Sequence, residues 1–371
     1  MELMGRVPRR AGRGWLTRSR RWPATTPAVA LAGSELVHLG GGESLPCPGA
    51  DRLPLDPSAL HLGLGTAALA LPPARVHLLH DVLVSPANRV VLAPDGRVVA
   101  ESLTQDLRRT TPPDPGELRA APRHMEGTIA LYRSPAEGRF HTLVDHLPRA
   151  ALLAHPALRR LGPITLVHDG PLRPVEAWAL PELVGRQVRI VQVEPGTPLA
   201  ADAVVLPGFV TRPGAGAIPS WYRRWADGVA ERADGGGPRR FFIDAGVGPT
   251  SVANREALDT VLERHDVEPV DPWRLDPSRA VGLFRDADLV VGVHGTGVSH
   301  CLFSRRAHVV ELTTGRTLLP ELFYLCTSKG LPYDYVPAGE APRKGRRGPA
   351  PDDGVTVDVG WLDSLLGRIT R

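Results

Sequence analysis

Ala287-Asp288-Leu289-Val290-Val291-Gly292-Val293-His294-Gly295-Thr296-Gly297 is the stretch that sets the fold class. Ala287–Val293 is an almost unbroken apolar run, as a strand buried on both faces requires. His294 and a Gly-Thr-Gly turn end it, and a helix is expected within two residues. Strand, glycine turn and helix in that order are the repeating unit of α/β folds. The neighbouring sequence repeats it. Arg240–Asp244 and Val267–Val270 read as strands, and 252–264 as a helix with Leu258, Val261 and Leu262 on one face. Asp276-Pro277 opens another helix, with Asp as its cap and Pro at its first position. His308–Leu312 is a further strand. Val355–Val359 and Trp361–Ile369 read as a terminal strand and an amphipathic helix.

Upstream the same alternation holds. Val76–Val84, Arg97–Glu101, Gly127–Leu131, Ile164–His168, Val188–Val193 and Ala203–Leu206 are strand candidates, rich in Val and Ile and bounded by turn residues. Helical patterns lie at 141–155, 174–184 and 219–233, whereas 40–60 reads as loop. This spacing predicts a mostly parallel sheet covered on both faces. Ala233-Asp234-Gly235-Gly236-Gly237-Pro238 breaks the pattern and reads as a flexible joint. The fold class is therefore α/β: two Rossmann-like domains facing across a cleft, where ligands of open sheets bind beyond the strands' carboxyl ends. The expected organisation is a basic tail and loop over 1–60, one domain over 61–235, a second over 236–339, and a basic linker with a terminal strand and helix over 340–371.

Composition agrees. The 371 residues exceed one ordinary core, and 42% hydrophobic with 23% charged residues is globular usage. No run approaches the ~18 apolar residues that a membrane helix needs. Three cysteines, Cys47, Cys301 and Cys326, neither staple a chain of this size nor carry a zinc-site spacing, so reduced thiols and a cytoplasmic setting are expected. The net charge of +4 is unevenly placed. Residues 1–22 hold seven Arg against Glu2, and Arg343-Lys344-Gly345-Arg346-Arg347 holds four more basic residues, so the remainder is acidic. A nucleic-acid-binding face is excluded on that ground. The tail reads either as a solvated arm or as an arm making weak peripheral contact with anionic phospholipid at the inner face of the membrane.

Three constellations carry chemistry. At His294-Gly295-Thr296-Gly297, glycines admit a close backbone approach and an imidazole can donate to an anion, so the segment reads as a phosphate cradle or as a purely structural turn. Glu311 ends an apolar strand, where a carboxylate needs partners; it either accepts ribose hydroxyls or turns outward. His141, Asp145 and Arg149 stand four residues apart on one helix. They form either a proton-abstracting pair with a cation nearby or a helix-stabilising i,i+4 ion pair.

Phe140-His141, Asp145 and Leu147-Pro148-Arg149 resemble the His-x-x-x-Asp-x-x-Pro-Arg signature of glycosyltransferase family 61. That family includes capsular-polysaccharide-type bacterial enzymes and plant xylan-decorating enzymes. Gly292-Val293-His294-Gly295-Thr296-Gly297, Leu302-Phe303 and Val309-Val310-Glu311-Leu312 are similar to its C-terminal block, and Trp221-Tyr222-Arg223 and Asn254 fit its order. The resemblance covers roughly 120–336. It implies a GT-B fold, with a nucleotide-sugar donor on the C-terminal domain and a glycan acceptor toward the N-terminal one. It also implies inverting transfer with no cofactor and no obligatory metal. Asp145, assisted by His141, would be the base; His294, Gly295, Thr296, Gly297, Glu311, Asn254 and Arg149 would hold the donor. Ala245 and Thr250-Ser251 stand where the family carries basic residues, Gly138 where Asn is usual, and Arg255 where an acidic residue is common. Arg255, Arg285, Arg239 and Arg240 are the candidates to replace the missing cations. The alternatives are a catalytically impaired scaffold of the same fold, or a transferase moving a non-sugar group to polysaccharide.

Overall fold

The computed structural model describes residues 24–103, 120–212, 214–244, 251–315, 317–337 and 354–371. The Arg-rich tail, the Arg343–Arg347 run, Ala245 and Thr250 lie outside them. The chain forms two compact units, one of 1–43, 72–137 and 145–213, the other of 44–71, 138–144 and 214–371. No helix among the described residues is long and apolar enough to cross a membrane.

The first unit is built on a ten-stranded sheet. Four of its strands, Leu199–Pro207, Arg123–Leu131, Ile164–Asp169 and Val188–Val193, lie side by side in that order and are parallel. The rest of the sheet is mainly antiparallel: Arg75–Leu79 and Leu83–Ser85 pair with Leu199–Pro207, Glu35–His38 with Arg75–Leu79, and Val90–Leu92 with Leu83–Ser85. The mostly parallel sheet expected from the sequence is thus a mixed one. The residues between 71 and 103 supply no crossover helix long enough to return a chain parallel, so they fold back as hairpins. Val76–Val84 is interrupted at Asp81, which takes a positive φ of 55°, and its two pieces pair with Leu199–Pro207 in one register. Leu79, Val84, Ile129, Leu131, Val167, Val204 and Leu206 form the unit's core.

The second unit carries a five-stranded sheet in the order Glu268–Val270, Arg240–Ile243, Leu289–Val293, His308–Leu312, Tyr333–Val336, with every pair parallel. Counted within the unit this is 2-1-3-4-5, a doubly wound order whose direction reverses between the first and third strands. Alternate side chains face opposite ways. Phe242, Val291 and Val310 pack with Leu258 and Leu262 of helix Arg255–Arg264 and with Leu362 and Leu366 of helix Val359–Ile369. Phe241, one residue earlier, meets Phe284 of helix Pro277–Asp286 edge-on at 5.2 Å on the other face. Both faces are covered, as the apolar strands demanded.

Three local expectations give way. Residues 40–60 contain strand Glu43–Pro46 and helix Pro57–His61, capped by Asp56, whose side chain accepts from the Ser58 amide. Val355–Val359 is not a strand: Val355 makes one bridge to Val252, and the helix has already begun at Val359. The glycine joint at 233–238 lies inside the second unit and is packed down. Arg285 donates to Ala230 O and Ala233 O, and a Cβ at Gly282 would sit 1.7 Å from Asp234 O. Gly282 is therefore what lets the joint lie against its helix.

Candidate active site

In the second unit, strand Leu289–Val293 delivers His294 to the carboxyl edge of the sheet beside the reversal point. His294 N–H bonds Leu312 O at 2.9 Å, extending the ladder by one residue. The turn then folds back on its own strand, and Gly292 permits it: a Cβ there would lie 2.6 Å from Val298 Cγ2. Gly295 and Gly297 take positive φ of 85° and 104°, which side-chain-bearing residues rarely adopt.

Glu311 lies opposite Gly292 on the next strand and is fully buried. Its carboxylate is satisfied twice: His294 Nδ1 lies 2.5 Å from Oε1, and the Tyr333 hydroxyl donates to Oε2 at 2.6 Å. Burial and the Glu311 charge hold the Tyr333 hydroxyl well above its ordinary range, so it remains the donor. An ionised carboxylate only accepts, so Nδ1 carries a proton. Glu311 therefore fixes the ring of His294 and its tautomer, as carboxylates fix working histidines elsewhere. His294 Nε2 lies 3.9 Å from Glu321 Oε2.

Thr296 is buried, its amide and hydroxyl both bonded to Val293 O, so its polar groups hold the turn. The helix expected after the turn is a six-residue 3-10 segment, Val298–Phe303. His300 tightens it: its backbone N–H and Nδ1 both reach Gly297 O, at 3.0 and 3.2 Å. So short a segment contributes little dipole, and side-chain cations must supply the positive charge an anion needs.

His300 is enclosed by Trp273, Phe284 and Phe303. Burial pushes its imidazole down to about 3, despite the Gly297 carbonyl; the charge on Arg139 acts in the same direction as burial. An unfolded chain binds this proton near pH 6.5, so stability falls as pH drops below that value and continues to fall toward pH 3. Between pH 6.5 and 5 the wild type should lose about 2 kcal/mol more than His300→Phe in urea unfolding. Parallel losses would show that His300 is not held neutral.

Asn254 is committed elsewhere. Its amide donates to Val357 O at 2.8 Å and accepts from Val357 N at 2.9 Å, tying the start of a helix to the C-terminal segment.

The His141–Asp145–Arg149 segment is a helical run, Arg139–Ala151, that passes from the second unit to the first after residue 144. It is not one regular α-helix: Thr142–His146 is a π turn. Pro148 has no N–H for the i−4 carbonyl of Val144 and its ring would press on that oxygen, so the ladder widens just before it. The α-helical i,i+4 register assumed for His141 and Asp145 is therefore altered. His141 packs edge-on to Phe140, with ring centroids 5.5 Å apart. Asp145, partly exposed, accepts a 2.9 Å hydrogen bond from Thr211 Oγ1.

Arg149 is fully buried and feels the charge of that carboxylate. Its Nε donates to Pro207 O at 2.9 Å, its guanidinium lies 4.2 Å over the Phe209 ring, and both terminal nitrogens are buried without hydrogen-bond partners among the described residues. Burial lowers its pKa to about 9 against the pull of Asp145, so it stays charged at neutral pH. Pro207 ends a parallel strand, so Asp145, Arg149 and Thr211 gather at the carboxyl edge of the first unit's sheet. That edge is fixed by Arg133 and Tyr132, which bond the buried Glu176, and by Arg89 paired to Asp169.

Sequence reading missed Thr211, Phe209, Trp273, His300, Tyr333 and Arg139. Only Asp271-Pro272-Trp273, a capped turn directly after a strand, carried a local signal. Cys47, Cys301 and Cys326 are free thiols. Among the described residues no three His, Cys, Asp or Glu side chains cluster as metal ligands would.

The family model Glycosyltransferase 61 matches residues 140–310. The match takes in His141, Asp145, Arg149, Asn254 and His294–Gly297. No curated protein matches the chain significantly.

Proposed function

With residues 140–310 belonging to glycosyltransferase family 61, we propose that the protein is an inverting glycosyltransferase. In this reading it moves a sugar from a nucleoside-diphosphate sugar to a hydroxyl of a glycan acceptor. The donor's diphosphate binds the second unit at His294 and the Gly295–Gly297 turn. Asp145, in the signature at residues 141–149, takes the proton of the acceptor hydroxyl as its oxygen attacks the anomeric carbon. The bond to the diphosphate breaks on the opposite face, and its electrons leave with the nucleoside diphosphate, which inverts the anomeric centre. Hydrogen bonds aimed at charge that develops on the leaving group are the larger contribution, and base catalysis adds to it.

The observation that carries this reading is His294, locked by the buried Glu311 beside two glycines at the carboxyl edge of a doubly wound sheet. In this reading Nδ1 faces Glu311 and Nε2, which has Glu321 Oε2 3.9 Å away, is the nitrogen that meets a diphosphate oxygen. Glu311, expected to accept ribose hydroxyls, instead supports the imidazole. The test is calorimetry with uridine, guanosine, cytidine and adenosine diphosphates. At least one should bind and raise the melting temperature, since a ligand of the native form alone stabilises it. His294→Ala should weaken that binding ~10-fold or more, the cost of a charge-assisted hydrogen bond. An unchanged dissociation constant would remove His294 from the site, and silence from every diphosphate would favour the scaffold alternative.

A further inference from the structure

Arg255, Arg239, Arg285 and Arg240, named from the sequence as candidates to replace the missing cations, each hold a carboxylate or carbonyl partner in the second unit. Arg255 pairs with Asp244 and Asp259, and Arg239 with Asp288. Arg285 pairs with Asp286 and two carbonyls, and Arg240 donates to His265 O. His294 cannot balance a diphosphate by itself, because Glu311 stands against one of its nitrogens and Glu321 within 3.9 Å of the other. A second cation is required at the turn.

Arg139 is in that place. Its guanidinium carbon lies 4.2 Å from the centroid of the Trp273 ring, the spacing of a cation–π stack. The same pair closes over Gly297: a Cβ there would meet Trp273 Cζ2 at 2.2 Å and Arg139 Cδ at 3.0 Å. Trp273 is itself set by Asp271, whose carboxylate accepts from the Trp273 amide at 3.0 Å, immediately after strand Glu268–Val270. The indole and the glycine turn thus belong to the carboxyl edge of one sheet, and both Trp273 and Arg139 are partly exposed.

We infer that Arg139, held flat on Trp273, is the arginine that grips the donor's diphosphate beside Gly297 in this chain. This rests on the donor reading given above. A planar guanidinium can give two parallel N–H bonds to phosphate oxygens, and stacking on an indole sets its plane before the ligand arrives. Arg139 adjoins the matched family segment, which begins at Phe140, so the family match itself assigns it nothing.

The test compares each nucleoside diphosphate with its own nucleoside, by calorimetry, on wild type, Arg139→Met, Arg139→Lys and Trp273→Leu. Arg139→Met keeps an apolar stem over the indole and removes the charge. It should raise the diphosphate dissociation constant ~10–100-fold while leaving nucleoside binding within about threefold. Arg139→Lys should recover part of the loss, since charge returns without the fork. Trp273→Leu should fall between the two, because the charge stays and its platform goes. If the wild type binds a diphosphate and Arg139→Met binds it equally, the assignment is overturned while the donor reading stands. If diphosphate and nucleoside weaken together in Arg139→Met, the residue shapes the pocket without holding phosphate, and the assignment is again overturned. If the wild type binds no diphosphate, both fall.

Discussion

Asp145→Asn is expected to lower transfer ~10²–10⁴-fold, the usual worth of a positioned general base. The substitution is isosteric, and the Thr211 hydroxyl can still donate to the amide oxygen, so the side chain keeps its place. What disappears is the capacity to accept a proton. The buried Arg149 also loses its counter-charge, and a desolvated cation left alone is destabilising by a few kcal/mol. The variant should therefore melt at a lower temperature as well as turn over slowly. The two effects separate experimentally: single-turnover rates report the chemistry, whereas nucleoside diphosphate affinity should match that of the wild type, because the groups proposed to hold the donor belong to the second unit. Turnover within threefold of wild type would remove Asp145 as the base, whatever the melting temperature.

Gly297→Ala should be the most damaging single-methyl change in the donor site. Two penalties coincide. The backbone φ of 104° disfavours any Cβ, and the methyl would stand 2.2 Å from one atom of the Trp273 ring and 2.6 Å from another. Either the turn moves or the indole swings away and takes its platform from Arg139. Overpacking and left-handed backbone strain together predict a loss of about 2–4 kcal/mol in stability. Diphosphate affinity should fall ~100-fold, beyond the range of Arg139→Met alone, because cradle and cation are displaced together. Gly315→Ala is the control, since no atom lies within 4 Å of the added carbon and its φ is ordinary. A Gly297→Ala protein with wild-type melting temperature and affinity would show that Trp273 does not press on the turn.

The buried strands of the second unit were legible because each is an apolar run closed by a turn residue, and a parallel strand covered on both faces permits little else. Leu289–Val293 and His308–Leu312 lie within the stretches read from sequence. The first unit was less legible. Ile164–Asp169 and Val188–Val193 follow helix-bearing crossovers and stand out, whereas the hairpins between residues 71 and 103 use the same Val and Leu, and apolar pattern does not encode strand direction. The helical run at 139–151 was seen, but its π turn was not, because the disturbance comes from Pro148 acting on a carbonyl four residues back.

Local composition and spacing determined the α/β class, the histidine at the end of a strand and the family signature around Asp145, since each depends on residues close together in the chain. Tertiary structure alone decided the partners. Glu311 became the support of His294 because strand pairing places residues 294 and 311 side by side; Asn254 was drawn to Val357, 103 positions away. Arg139 came to rest on Trp273 through the same kind of distant contact. Such pairings depend on which strands and helices become neighbours, and a linear pattern of apolar and polar residues leaves that choice to the packing of the whole.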